Sequence, residues 1–413
     1  MAVNLCLGIL YAWSVWRQAL LATPDHPAGS PMSGLNEGWV YLTSAESTWA
    51  YTLCGLIFAI AMIPGGRIQD RFGPRVGATL GGLFLAAGCF VAGYMQSFNG
   101  LIIGFGVLGG IGMGLGYAAA TPAAVKWFGP HQRGLIVGLV VAGYGGAAIY
   151  ISPLAQALIA NYGISGSFYV LGGLFALVVV VAGMLLSPPP DDYVPPVPES
   201  AGDEKKPAAV PANNDWNAAE MLAAWQFYAL VFMFVASAQS GLLVIANATP
   251  ILSKVAKGIP FFAANLWLLS AFGGLVNAAG RVGTGLYSDR IGRGNAFLIN
   301  GIVAAACMFV TPMVIEGANI ALLFAVLGVA YWQYGGGLAL LPAYTADYFG
   351  PKNLGFNYGL VFLGWGVAFL VPLLASYIQD STKSLDVAFY ISGGLLIAGV
   401  VLSWFVKKPE KAE

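Results

Sequence analysis

Charge is what this chain has least of. Lys, Arg, Asp and Glu make up 9% of its 413 residues, against about 25% in an average soluble protein. Only two histidines are present, His26 and His131, and both fall between apolar runs, away from any buried acid–base or metal site. The four cysteines, Cys6, Cys54, Cys89 and Cys307, are scattered over separate runs without metal-ligand spacing and read as small apolar packing residues. No paired acids are available for general acid–base work, since the acids nearest the membrane, Glu46 and Asp347, lie near helix ends. Enzyme chemistry, a metal and a cofactor therefore find no support, and no basic patch points to nucleic acid.

What the chain has instead is apolar length. Hydrophobic residues reach 58%, in runs of roughly 20 residues, each long enough to cross about 30 Å of hydrocarbon as a helix. They cover approximately 4–22, 47–66, 76–95, 100–122, 134–159, 166–187, 225–250, 261–287, 294–314, 318–341, 354–378 and 385–405. This predicts an all-α protein of twelve transmembrane helices in a lipid bilayer. The first run begins almost at Met1. A cleaved signal peptide would need basic residues before the run and a small-residue cleavage site, and neither is clear, so a retained, slightly truncated helix is expected.

With the N-terminus in the cytoplasm, the inside segments hold Arg67, Arg71, Arg75, Lys126, Arg133, Lys205, Lys206, Arg290, Arg293, Lys352, Lys407, Lys408 and Lys411. The outside segments hold only Arg17, Lys254, Lys257 and Lys383. This bias predicts a multi-pass protein of the plasma (inner) membrane with both termini cytoplasmic. Between Ser187 and Met221 the chain turns polar and proline-rich, as in Pro188-Pro189-Pro190-Asp191-Asp192, and cannot bury enough apolar surface to fold alone. Residues 188–221 are thus expected to be a cytoplasmic linker between two six-helix bundles, 1–187 and 222–413.

The halves repeat each other. Gly66-Arg67-Ile68-Gln69-Asp70-Arg71-Phe72-Gly73 follows the second run and Gly285-Leu286-Tyr287-Ser288-Asp289-Arg290-Ile291-Gly292 follows the eighth. Phe128-Gly129-Pro130 matches Phe349-Gly350-Pro351, and Pro153 matches Pro372, at nearly the same offset. Six-span halves related by a parallel repeat, a pseudo-two-fold axis along the membrane normal, place a site between them near the midplane. The recurring Asp and glycines are expected to gate the cytoplasmic side through Asp70, Arg71, Arg75, Asp289, Arg290 and Arg293, the Asp bonding helix ends or arginines. A generally basic cytoplasmic loop would explain the arginines but not the repeated Asp and Gly. The glycines of the fourth run, Gly104 to Gly116, lack the strand and the Lys-Ser or Lys-Thr of a phosphate loop, and predict close helix packing.

Arg281 stands out because it reads as the only Lys or Arg well inside an apolar run. At mid-membrane an arginine costs about 2.5–3.5 kcal/mol on insertion scales unless it faces a cavity or partner. No Asp or Glu sits at comparable depth, so the missing anion is most simply a small carboxylate substrate. Eight residues of helix separate Arg281 from Asp289, which places it about 12 Å into the hydrocarbon. Its planar fork matches a carboxylate bidentately. The competing reading is a structural arginine bonded to backbone carbonyls. Asn277 lies on the same helix face at i−4, and Tyr117, Tyr331, Tyr334, Tyr11 and Gln239 are placed at similar depth by counting. For any tyrosine, simple ring packing competes with ligand contact. A carrier is favoured over a passive anion channel, since a channel needs no paired inner gates.

These features resemble the major facilitator superfamily over essentially the whole chain. More narrowly, Tyr11-Ala12-Trp13-Ser14-Val15, Gly116-Tyr117-Ala118, Asn277-Ala278-Ala279-Gly280-Arg281 and Asn353-Leu354-Gly355-Phe356-Asn357-Tyr358-Gly359 resemble its monocarboxylate porter and oxalate–formate antiporter branch. The resemblance implies alternating access, substrates such as lactate, pyruvate, formate or oxalate, and Arg281 as the anion-binding residue. The oxalate-carrying relatives add a lysine on the eleventh span, where this chain has Trp365. A single positive charge balances one carboxylate, so lactate-like or pyruvate-like substrates are expected, with Phe362 and Trp365 forming an apolar side of the pocket. Animal relatives place an Asp where this chain has Asn277, which cannot titrate. A proton symporter of this kind carries its proton on the substrate or a nearby water. It is expected to work as a monomer.

Overall fold

The computed structural model describes residues 1–125, 127, 133–187, 190, 193, 215–350 and 353–410, with the backbone alone at 70, 121–125 and 133–138. Most of the 188–221 segment, the Phe128-Gly129-Pro130 and Pro351 matches, and Lys126, Lys205, Lys206, Lys352 and Lys411 lie outside the described residues. Within them, every regular element is a helix, apart from single bridges joining Leu21 to Leu42 and Pro31 to Val40.

Nine helices among the described residues are long and apolar enough to cross a membrane. Three features reconcile that number with twelve runs. The fifth and sixth spans form one stretch, Leu139–Leu185, interrupted at Gly163 (φ 71°, ψ −179°), a conformation that favours glycine. The first span is divided into Ala2–Leu7, a 3-10 turn over Gly8–Ala12, and Trp13–Leu20. The eighth, Leu268–Ile291, is long enough, but Ser270, Asn277, Arg281, Thr284 and Ser288 are buried along it and lower its hydropathy.

The remaining spans are Ser44–Phe72 (second), Pro74–Met95 (third), Trp225–Val255 (seventh), Arg293–Glu316 (ninth), Ile320–Phe349 (tenth) and Asp386–Phe405 (twelfth). The fourth runs through Phe98–Leu101, a π-helical stretch at Ile102–Gly109 and Gly110–Val125. The eleventh joins Leu354–Ala368 to Leu370–Thr382. The second and eighth helices run further than their apolar runs, so Asp70, Arg71, Asp289 and Arg290 sit on last helical turns rather than in loops. The turns themselves are single residues, Gly73 (φ 82°) and Gly292 (φ 88°), and each hands straight on to the next helix.

Small residues set the closest approaches. A Cβ on Gly81 would sit 2.7 Å from Gly112 O, and one on Gly88 2.5 Å from Gly104 O, so the third and fourth spans touch backbone to backbone. Large exposed apolar side chains, such as Leu83 on the third span, Leu177 on the sixth, Leu286 on the eighth, Met313 on the ninth and Trp404 on the twelfth, lie on the outside of the bundle, as expected of a lipid face. The seventh span is the most enclosed of those nine, with 83% of its apolar window buried. Contacts between the first six spans and the last six run fifth to eighth, second to eleventh, and first to seventh. Advancing each number by six turns the fifth–eighth pair into the eleventh–second pair, so the packing carries the symmetry of the repeat. The central space lies between these pairs.

Candidate functional site

The eighth span brings Arg281 into that centre. Asn277, one turn earlier, accepts from Arg281 Nε at 3.2 Å, the same-face geometry of an i, i+4 pair. The fifth span approaches closely enough that Arg281 Nη1 donates to Val141 O at 3.1 Å. The first span supplies Tyr11, whose hydroxyl accepts from Nη2 at 3.3 Å. Three of the five guanidinium N–H groups thus have acceptors among the described residues. The ion pairs among those residues join Arg293 to Asp289 and to Asp347. Arg281 is buried and, among the described residues, has no carboxylate against it. The remaining N–H groups have no acceptor in good hydrogen-bond geometry among the described residues, with the Tyr117 hydroxyl beside them.

Around it, aromatic rings close a cavity lined by Tyr11, Phe58, Tyr117, Tyr144, Arg281, Leu338, Phe362 and Trp365. Tyr11 meets Tyr144 edge-on at 5.0 Å and Tyr144 meets Tyr117 at 5.4 Å. Phe362 stacks on Trp365 at 4.9 Å, with Phe58 edge-on to Trp365 at 5.0 Å. The free space is small, about 10 Å³ for the centre of a water-sized sphere, or roughly one water. A ligand of several heavy atoms needs more room than this space provides, so binding one requires these walls to move apart.

Arg281, Tyr11, Tyr117, Phe362 and Trp365 therefore share one cavity. Asn277 and Tyr334 stand behind it. Tyr334 Oη lies 2.6 Å from Tyr11 Oη and accepts from Trp365 Nε1 at 2.8 Å. Trp365 is thus more than the apolar wall expected of it. Tyr331 does not join the cavity; its ring packs against Gly273, and its hydroxyl has no hydrogen-bond partner among the described residues. Gln239 turns away to Ser392 O. Phe58, Tyr144 and Leu338 were not singled out by sequence. The repeat held the signal for Phe58, since the offset that carries Asp289 onto Asp70 carries Asn277 onto Phe58. Nothing comparable marks Tyr144.

Arg17 requires a correction. It was counted with the outside segments, but its side chain is 0% exposed, so Arg281 is not the only buried cation inside a run. Arg17 lies five residues before the end of its run, near enough for its head group to snorkel to the interface in principle, but here it turns inward. It donates to Ser44 and Ser47 on the second span, Ala246 O and Asn247 on the seventh, and Ser376 and Gln379 on the eleventh, with the Asn247 bond at 2.5 Å. Asp380 next to Gln379 accepts from the Ser44 and Ala45 amides, capping the second helix from the eleventh. Ser14, one turn below Arg17, bonds Thr249 at 3.0 Å. Tyr11, Ser14 and Arg17 thus form a ladder on the first span that ties it to the last six helices from Arg281 outward.

At the opposite end, Asp289 pairs with Arg293 at 2.5 Å, and Arg293 also bonds Ser288 and reaches Asp347 on the tenth span at 3.9 Å. Arg290 is exposed. In the first half, Arg75 Nε donates to Leu186 O at 2.8 Å and Arg71 lies over the Phe72 ring; the Asp70 side chain is outside the described residues. Arg67 lies over Phe356 of the eleventh span at 5.9 Å, a contact between the halves.

Comparison with known proteins agrees with this architecture. The chain is 28% identical to the oxalate:formate antiporter of Oxalobacter formigenes over 80% of its own length and 79% of that protein's. It is 26% identical to the uncharacterized MFS-type transporter YhjX of Escherichia coli (strain K12), covering 87% and 82% respectively. Monocarboxylate transporter 12 of Rattus norvegicus is 25% identical over 88% and 78%. The family model described as Major Facilitator Superfamily matches residues 31–341. A multi-pass helical bundle with a central buried cation, matched over most of its length, belongs to the Major Facilitator Superfamily.

Proposed function

We propose that this protein carries small monocarboxylates of the lactate or pyruvate kind across the membrane by alternating access, together with a proton. The observation that carries the reading is Arg281: a buried guanidinium, held from three sides, with N–H capacity left over and no acid against it among the described residues. An uncompensated buried charge costs several kcal/mol, and an anionic ligand removes that cost. The names of the relatives, an oxalate:formate antiporter and a monocarboxylate transporter, support carboxylate as the substrate class.

Arg281 is the only charged residue lining the cavity. A second carboxylate would enter an aromatic wall of Phe362 and Trp365 without a counter-charge, so we read the substrate as singly charged. Asn277 has no proton to exchange, and no acid or histidine lines the cavity. The proton then travels on the substrate or on a water beside Arg281. We assign the inner gates to Asp70, Arg71 and Arg75 and to Asp289, Arg290 and Arg293. The Arg17 cluster is the outer seal. The two bundles, 1–187 and 222–413, move about the site as the halves of a monomer, joined by 188–221, in the plasma (inner) membrane with both termini cytoplasmic.

Uptake of labelled lactate into proteoliposomes tests this directly. An inward proton gradient accelerates uptake, a protonophore removes the acceleration, and oxalate competes at least tenfold more weakly than pyruvate. Uptake indifferent to the gradient removes the symport reading and leaves exchange or uniport. Competition by oxalate as strong as by pyruvate removes the single-charge reading.

A further inference from the structure

The first four N–H groups of an α-helix have no partner within the helix. In the second span these belong to Thr43, Ser44, Ala45 and Glu46. A capping box built from the helix's own residues satisfies the outer two: Thr43 N–H donates to Glu46 Oε2 at 2.9 Å, and Glu46 N–H donates to Thr43 Oγ1 at 3.1 Å. The middle two donate to the other half of the protein. Ser44 N–H reaches Asp380 Oδ1 at 2.9 Å and Ala45 N–H reaches Asp380 Oδ2 at 2.7 Å, so one carboxylate near the end of the eleventh span takes both. Its charge also faces the positive end of the helix dipole. Gln379 beside it accepts from Arg17 and from the Ser44 hydroxyl. At their other ends, among the described residues, the same two spans meet through Arg67 over Phe356, a weaker cation–π contact between exposed side chains.

We infer that Asp380 is a positioning residue of the transport cycle: it clasps the second helix from across the interface between the halves and holds the Arg17 end of the protein closed in the resting state. This rests on the alternating-access reading above and adds to it the group that biases the halves toward one conformer. Arg17 lies on the first span, and its bonds to Ser44 and Ser47 on the second stay within one half, so part of its network survives when the halves part. The Asp380 bonds have no such remainder, because both donors lie in one half and the acceptor in the other. Opening that end breaks both together and exchanges two charge-assisted hydrogen bonds for water.

A clasp of this kind acts on the halves as bodies, so its loss is felt far from Asp380. The second–eleventh and fifth–eighth pairs lie on opposite sides of the central space. At the Arg17 end of the latter pair, Ser152 on the fifth span bonds Ser270, near the start of the eighth, at 2.9 Å, and both are buried. Fraying of the second helix alone leaves Ser270 covered, whereas rotation of one half against the other uncovers it. Cys89 on the third span is buried against Gly172 of the sixth, inside the first half. Unfolding uncovers Cys89, and rotation of the halves does not.

The test is the rate at which a maleimide labels Ser270→Cys in the purified full-length protein, read cysteine by cysteine by mass spectrometry. Asp380→Asn keeps the side chain's shape but sets an NH2 group against one of the two backbone N–H donors. Adding it to Ser270→Cys is expected to raise labelling at position 270 roughly tenfold or more, the scale of one hydrogen bond to a charged group, with Cys89 labelling unchanged. Asp386→Asn, which removes an exposed acid from the same half and the same end, leaves both rates where they were. An unchanged rate at position 270 in Asp380→Asn overturns the inference, as does an equal rise with Asp386→Asn or a matching rise at Cys89. Wild-type protein that shows no counterflow would sink the carrier reading instead, which keeps the two failures apart.

Discussion

Arg281→Gln loses carboxylate binding and transport but stays folded, with a melting temperature no lower than that of the wild type. In the empty protein the guanidinium brings an unpaired charge into the bundle, so replacing it removes a cost while a glutamine amide keeps donating to some of its acceptors. With ligand bound, the same change leaves a carboxylate without its counter-charge. Truncating one member of such a pair costs about 2–5 kcal/mol, or roughly 30-fold to several thousandfold in affinity. Arg281→Lys recovers little, because one ammonium cannot hold Asn277, Val141 O and Tyr11 together and still donate to a ligand. Titration calorimetry with lactate, alongside a thermal melt, separates the two effects. A variant that binds lactate normally contradicts the assignment.

Arg17→Ala behaves in the opposite way. Its guanidinium reaches six acceptors on three other helices and has no room for a ligand. Deleting it leaves the Asn247 and Gln379 carbonyls and the hydroxyls of Ser44 and Ser47 buried without their common donor. Breaking a buried charged network costs about 3–5 kcal/mol. A melting temperature lower by several degrees is expected, together with retained lactate binding in whatever fraction stays folded. Melts of the two arginine variants side by side decide which cation is structural. If Arg17→Ala melts with the wild type and Arg281→Gln does not, the roles are reversed.

The difference between the two arginines shows where sequence reasoning ends. Arg281 was legible because it lies eight residues before Asp289, too deep to reach water by its own length. Arg17 lies close to the end of its run, where sequence allows a head group to turn either way. The seventh and eleventh spans decide that choice, and they are more than two hundred residues distant in the chain. Tyr331 and Tyr334 are three residues apart with equal claims by depth. Helix rotation alone puts one hydroxyl on Tyr11 and leaves the other against Gly273.

Trp365 was readable as bulk but not as a donor, because its N–H has meaning only opposite Tyr334. The all-α class and the repeat were plain from the apolar runs and from Asp70 and Asp289. The division of the first span was not, since Gly8–Ala12 is as apolar as its flanks. The recurring Asp of the Gly-x-x-x-Asp-Arg motif was legible as a helix-end residue, and the helices run on two residues past it, to Phe72 and Ile291, before the single-glycine turns.

Counterflow tests the central claim most directly. Proteoliposomes are loaded with unlabelled lactate, diluted into a trace of labelled lactate, and followed for transient accumulation. An alternating-access carrier with one central carboxylate site concentrates the label above equilibrium before it decays, because outward-moving lactate returns the site to the outer face. The wild type should show this overshoot and Arg281→Gln should show none. A flux that is linear in concentration with no overshoot, or an overshoot undiminished in Arg281→Gln, contradicts the account.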